Sequence, residues 1–136
     1  VANKFTRNLS RHEFKCKGRN CNCNFDTADF ELVLVLQDVV DHFEALEGKA
    51  LTITITSGCR CVEHNEEVQK IANKNYKPYS SKSEHMEGRA ADFIINGVSA
   101  LRVHDYLVNK YKGRFGIGKY PDRTHIDTRS GPPARW

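Results

Sequence analysis

The segment Leu51-Thr52-Ile53-Thr54-Ile55-Thr56 alternates apolar with polar β-branched residues and stops at Ser57-Gly58. A period of two marks a strand with one buried face. Such a strand needs neighbours in a sheet and an apolar layer to cover it. Both are present in the chain. From Thr27, which can cap a helix, apolar residues recur at Phe30, Val33, Leu34, Leu36, Val39, Val40, Phe43 and Leu46, a stripe broad enough to face a core, and Gly48 ends it. Arg89-Ala90-Ala91-Asp92-Phe93-Ile94-Ile95 reads as a second strand turned by Asn96-Gly97, and short strands at about 114–119 and 124–128 flank the turn Tyr120-Pro121-Asp122-Arg123. A helix is expected from Val62 to Lys74, with Val68, Ile71 and Ala72 inward. Another should run from the cap Ser99 to Tyr111, with Leu101, Val103, Tyr106 and Leu107 in the core. Ser10 and Glu13 have the spacing of a capping box and predict a short helical turn at 10–15. The polar, proline-containing stretch 75–84 predicts an exposed loop. Mixed helices and short strands with a tight terminal turn predict an α+β fold, a small antiparallel sheet with helices packed on it.

At 136 residues the chain is long enough for one domain, 1–136, and short for two. A formal charge of +4 and a pI near 8.8 could suit a polyanion. The 21 basic residues are scattered, however, and Glu13 interrupts the densest stretch, Arg7 to Arg19. No aromatic-plus-basic motif accompanies them, so an ordinary solvated surface is expected and nucleic acid is not a predicted partner. No window holds about 18 consecutive apolar residues, and no signal-like block follows the N-terminus; neither a membrane span nor an export address is expected in these residues. A monomer is expected. Five cysteines stand at 16, 21, 23, 59 and 61. An odd number leaves one unpaired in a monomer. Neither group has the C-x-x-C spacing of a zinc knuckle. One or two disulfides tying the N-terminal segment to the 59–61 turn are expected in preference to a structural zinc site or free thiols.

Chemistry concentrates in two segments. His85 and Asp92 stand seven apart around Gly88, Ala90 and Ala91, and His125 sits in Thr124-His125-Ile126-Asp127. If the strand at 89–95 pairs with that at 124–128, the three side chains can meet at one ion. Zinc accepts imidazole nitrogen and carboxylate oxygen, and three protein ligands with a fourth position left to water is a catalytic arrangement. His12, His42, His64 and His104 have no acidic partner at a telling distance and read as ordinary surface or core histidines. From the residues alone, the metal site stands beside that same ordinary reading for His85 and His125.

The pattern Ser83-x-His85-x-x-Gly88-x-Ala90-x-Asp92, with Ser57-Gly58-x-Arg60 before it and His125-x-Asp127 after it, resembles the zinc D-Ala-D-Ala carboxypeptidases and phage endolysin peptidases. The same site architecture recurs in vancomycin-resistance dipeptidases and in the hedgehog signalling domain. The resemblance covers about residues 50–136. Gly116-Ile117-Gly118-x-Tyr120-Pro121 and Arg135-Trp136 look like the compact branch that hydrolyses peptidoglycan peptides. It implies zinc held by His85, Asp92 and His125, and a water activated for attack on an amide of a peptidoglycan stem peptide at the bacterial cell wall. The bond would be terminal D-Ala-D-Ala or an internal one such as L-Ala-D-Glu. It further implies Asp122, three residues before the last histidine, as general base, with Asp127 as the alternative or as a partner orienting a histidine. Arg60 would stabilise charge on the substrate oxygen or hold a substrate carboxylate. Ser83 would contact substrate or shape the loop before His85. Cys59 and Cys61, flanking Arg60, depart from the pattern. Either thiolate could close the site around a structural metal. A Cys61–His64 nucleophile is a weaker reading, because nothing in their spacing activates the thiol. The hedgehog precedent leaves a non-catalytic zinc-containing binding module as the alternative to an enzyme.

Overall fold

In the computed structural model, which describes residues 3–21, 23, 25–73, 75 and 83–136, the alternating segment forms strand β1 (Ile53–Ser57). It pairs antiparallel with β2 (Ala90–Ile95), which pairs antiparallel with β4 (Thr124–Asp127). β3 (Gly116–Lys119) returns antiparallel on β4, giving the order β1-β2-β4-β3-β5. The edge strand β5 (Ala134–Arg135) runs parallel to β3, so the expected antiparallel sheet carries one parallel pair. Two residues are too few to show a period, which is why β5 has no signature in the sequence.

Alternation sorts the sheet into two faces. Ile53, Ile55, Ala91, Phe93, Ile95, Ile117 and Ile126 point into one core with the buried side of helix α1 (Phe30–Glu47) and with Val103 and Leu107 of helix α3 (Ala100–Lys110). Each large side chain buried there contributes about 1.5–3 kcal/mol. Asp38 of α1 accepts from Tyr106 Oη at 2.8 Å and Lys110 Nζ at 2.7 Å, tying α3 to α1 at the rim. Among the described residues no helix is long and apolar enough to cross a membrane.

Helix ends follow local chemistry. Asp29, not Thr27, caps α1, its carboxylate accepting from the Leu32 amide at 3.4 Å, and Gly48 ends it with a left-handed φ of 69°. Ser99 caps α3 as expected. The turn expected at 10–15 is a 3-10 turn, Arg11–Phe14, with the Glu13 carboxylate reaching back to the Ser10 amide at 2.6 Å.

Several expected core positions are not core. Phe30, Leu34 and Leu46 of α1, and Leu101 of α3, are exposed, because the apolar stripe is wider than the face the sheet covers. Helix α2 (Val62–Ala72) departs furthest: its one buried residue is Asn65, while Ile71 is 87% exposed and Ala72 is also outside. It sits at the rim of the sheet's polar face rather than over the core. Residues 76–82 of the expected loop lie outside the described residues.

Candidate metal centre

The polar face of the sheet is built by register. Asp92 of β2 and His125 of β4 are direct cross-strand partners, so their side chains leave the same face side by side. Asp127, two residues on, shares that face. His85 comes from a second 3-10 turn, Glu84–Glu87, that ends at Gly88 immediately before β2. The Ser83 hydroxyl accepts from the His85 amide at 3.2 Å, and the Arg60 amide donates to the His85 carbonyl at 3.0 Å. One Asp92 oxygen lies 2.8 Å from His125 Nδ1, and the other 3.6 Å from His85 Nε2. One ligand atom from each of the three residues falls within 4.8 Å of the others, and all three residues are buried.

Each imidazole has its far nitrogen engaged. His85 Nδ1 donates to the Gly58 carbonyl at 2.6 Å, leaving the Nε2 lone pair facing Asp92. His125 Nε2 meets Asp127 Oδ2 at 2.7 Å; with that nitrogen as the donor, Nδ1 is left to offer its lone pair to an ion beside Asp92. Two lone pairs and a carboxylate converging in a buried pocket, each histidine oriented through its other nitrogen, are the donor set of a three-ligand zinc site. The residues therefore fit the metal that the sequence reading expects.

Asp127 is wholly buried and saturated. Its Oδ1 accepts from the Gly116 amide at 3.1 Å, the Arg129 amide at 3.3 Å and Arg129 Nε at 2.7 Å. Its Oδ2 accepts from His125 Nε2 and, at 2.8 Å, from a terminal nitrogen of Arg129. A Cβ at position 116 would run into this carboxylate, so glycine is required there. Burial pushes the Asp127 carboxyl up, yet the bonds from Arg129 and His125 outweigh it and hold it well below the usual carboxylate range. Asp92 is held low in the same way, by His125 and His85 against burial. Burial likewise opposes a charge on both histidines. In His85 it prevails and lowers the pKa; in His125 the two carboxylates win and raise it.

Arg60 is buried at the edge of this group, a terminal nitrogen 3.7 Å from Asp92 Oδ2. It donates from Nε to the Ser57 hydroxyl at 3.3 Å and from its other terminal nitrogen to the Asn65 side-chain oxygen at 3.4 Å. Burial lowers its pKa, and the neighbouring Asp92 opposes that. Asp122 stands apart. Its carboxylate is 77% exposed in the turn before β4 and bonds Arg123 at 2.9 Å, not any of the three converging residues. Ser83, Glu84, Gln69, Arg129 and Trp136 border an open cleft of about 250 Å³ with His125 in its wall. The Trp136 ring lies against the His125 ring, centroids 4.9 Å apart.

Asn65, Arg129 and the Gly58 carbonyl were not singled out in the sequence. Arg129 had a signal: an opposite charge two residues beyond Asp127, on the same face of an extended segment. A polar residue in a short helix and a backbone oxygen had none. The cysteines do not close the site, since neither Cys59 nor Cys61 joins the His85 group among the described residues. Nor is Cys61 an activated nucleophile: burial, with the neighbouring sulfurs, pushes its thiol up to about 12, and His64 meets it through a backbone amide.

The family model described as Peptidase M15 matches residues 7–127, reaching further toward the N-terminus than the motifs alone. The peptidoglycan L,D-endopeptidase MepK of Escherichia coli K12 is 26% identical over 101 residues, which are 74% of this chain and 52% of MepK. The protein of the same name from Shigella flexneri matches to the same extent. The chain thus spans about half the length of the curated relatives it matches. No solved structure matches significantly.

Proposed function

The chain belongs to the M15 peptidase family, and from that premise we propose that it is a zinc metallopeptidase hydrolysing an amide bond in peptidoglycan stem peptides. The observation that carries the reading is the convergence of His85 Nε2, Asp92 and His125 Nδ1, each histidine oriented by a bond from its other nitrogen. When bound, zinc supplies Lewis acidity and brings the pKa of a water near neutrality.

The chain's own groups divide the remaining work. Asp127 has no free lone pair with which to take a proton, because five donors already occupy it. Its role is to orient His125. Asp122, its carboxylate exposed three residues before His125 and paired with Arg123, is the group we assign as proton acceptor. Arg60, fixed by Ser57 and Asn65, presents a cation beside Asp92 for the developing oxyanion or for a substrate carboxylate. Ser83 spends its hydroxyl on the turn that carries His85 and so shapes the loop; its place on the cleft rim also supports contact with substrate. An open cleft suits an extended peptide running past the site, and the relatives' name supports an internal L,D bond over release of a terminal D-alanine.

The test is zinc-loaded protein incubated with purified peptidoglycan and with defined stem peptides, scored by mass spectrometry. Cleavage of an L,D bond is expected. Asp122→Asn should lower kcat by about 10²–10⁴-fold with zinc content unchanged. Bound zinc with no product from any substrate would refute the enzyme and favour a binding module.

A further inference from the structure

The odd cysteine count resolves in the fold into four plus one. Cys16, Cys21 and Cys23 from the N-terminal segment meet Cys61, the N-cap of α2, with their four sulfurs all within 4.8 Å of one another. Cys59 is buried outside the group. No two of the five are joined in a disulfide. The segments expected to meet do meet, but as a cluster rather than as bonded pairs.

We propose that Cys16, Cys21, Cys23 and Cys61 form a second metal site, a closed tetrathiolate zinc site that pins the N-terminal segment to the start of α2 beside Arg60.

Three of the six sulfur separations are close to the edge of a tetrahedron around one ion, and the other three lie within 4.8 Å. Sγ separations are 3.9 Å for Cys16 to Cys21, 3.8 Å for Cys16 to Cys61 and 3.5 Å for Cys21 to Cys23. Four sulfurs at the usual zinc distance of about 2.3 Å stand about 3.8 Å apart along a regular tetrahedron's edges. A disulfide would need about 2.05 Å.

The His64 amide donates to Cys61 Sγ at 3.4 Å. A Cβ on Gly18 would lie 2.7 Å from Cys21 Sγ and 2.9 Å from His64 Cβ, so the loop passes between sulfur and helix only because that residue is glycine. Binding is a proton exchange with no redox step: four S–H bonds give way to four Zn–S bonds, and the protons leave to solvent. With all four positions filled by protein, this ion has no slot for substrate and serves structure.

Its position ties it to the peptidase site. Cys61 follows Arg60 directly, and the Cys59 amide donates to the Phe14 carbonyl at 2.9 Å, two residues before Cys16. The ion would therefore hold from both sides the segment that carries Arg60 and the Gly58 carbonyl bonded to His85.

The test separates the two sites. Protein purified under reducing conditions should contain two zinc ions per chain, and the His85→Ala/His125→Ala variant should retain one. X-ray absorption at the zinc edge of that variant should show a shell of sulfur alone, and cobalt substituted into it should give the intense thiolate-to-metal bands of a tetrahedral tetrathiolate. Cys59→Ser should keep both ions, while Cys23→Ser should lose one. Should the double variant fail to fold, the wild-type zinc edge decides, with an average near two sulfurs per zinc expected. Zinc ligated by nitrogen and oxygen alone, no zinc in a folded double variant, or a disulfide among these four cysteines in peptide maps of the purified protein would each overturn the proposal. None of these outcomes depends on whether the protein cuts peptidoglycan.

Discussion

Replacing Asp127 by asparagine removes a charge and almost no volume, so its effects fall on hydrogen bonding. The side-chain oxygen can keep the Oδ1 position, where three donors from Gly116 and Arg129 point at it. The amide nitrogen then takes the Oδ2 position, between His125 Nε2 and a terminal nitrogen of Arg129. Arginine offers no acceptor, so the amide can donate only to His125. That requires a bare Nε2 and moves the imidazole proton to Nδ1, the atom 2.8 Å from Asp92. The lone pair aimed at the metal is thereby occupied. Loss of an orienting carboxylate typically weakens metal binding about 10–100-fold, which is about 1.4–2.8 kcal/mol. The metal-free fold should lose about 1–3 kcal/mol, less than the ~3–5 of a fully buried broken pair, because the Arg129 side chain is 30% exposed and solvent screens it. The assays are zinc competition against a chromogenic chelator and long-range nitrogen–proton NMR of the imidazole in zinc-free protein. A folded Asp127→Asn protein with wild-type zinc affinity and the proton still on Nε2 would refute the reasoning.

Arg60→Lys keeps a charge but not the fork held by Ser57 and Asn65; kcat should fall about 10²–10³-fold with zinc content intact, measured on the stem-peptide panel. Zinc retention should fall as pH drops: proton and metal compete for the same imidazole lone pairs, and the carboxylates that raise His125 above its ordinary value of about 6.5 move the onset of that competition upward. Dialysis at a series of pH values checks this, and undiminished zinc at about pH 4.5 would count against two histidine ligands. Phe93→Ala, at a wholly buried position, should cost about 3–5 kcal/mol in urea unfolding, whereas Ile71→Ala on the outer face of α2 should change stability by less than about 0.5 kcal/mol.

Periodicity and caps are local properties, so the strands at 53–57 and 90–95 and the helix at 100–110 are legible, to within a residue or two at their ends, before any contact is known. The motif residues could be picked out as well, since metal-ligand chemistry is confined to few side chains. What lay beyond reach was which faces would be covered. Ile71 and Phe30 have the chemistry of core residues and sit in solvent, because burial depends on what packs opposite and not on the residue itself. The same holds at the site. Pairing β2 with β4 one residue out of register would turn either Asp92 or His125 into the apolar core, and only the assembled sheet places them as partners. The four cysteines come from segments some forty residues apart, and the distance between their sulfurs is a property of the folded chain alone. Residue chemistry is carried along the chain, but convergence on a point in space arises from long-range packing, which no local window contains.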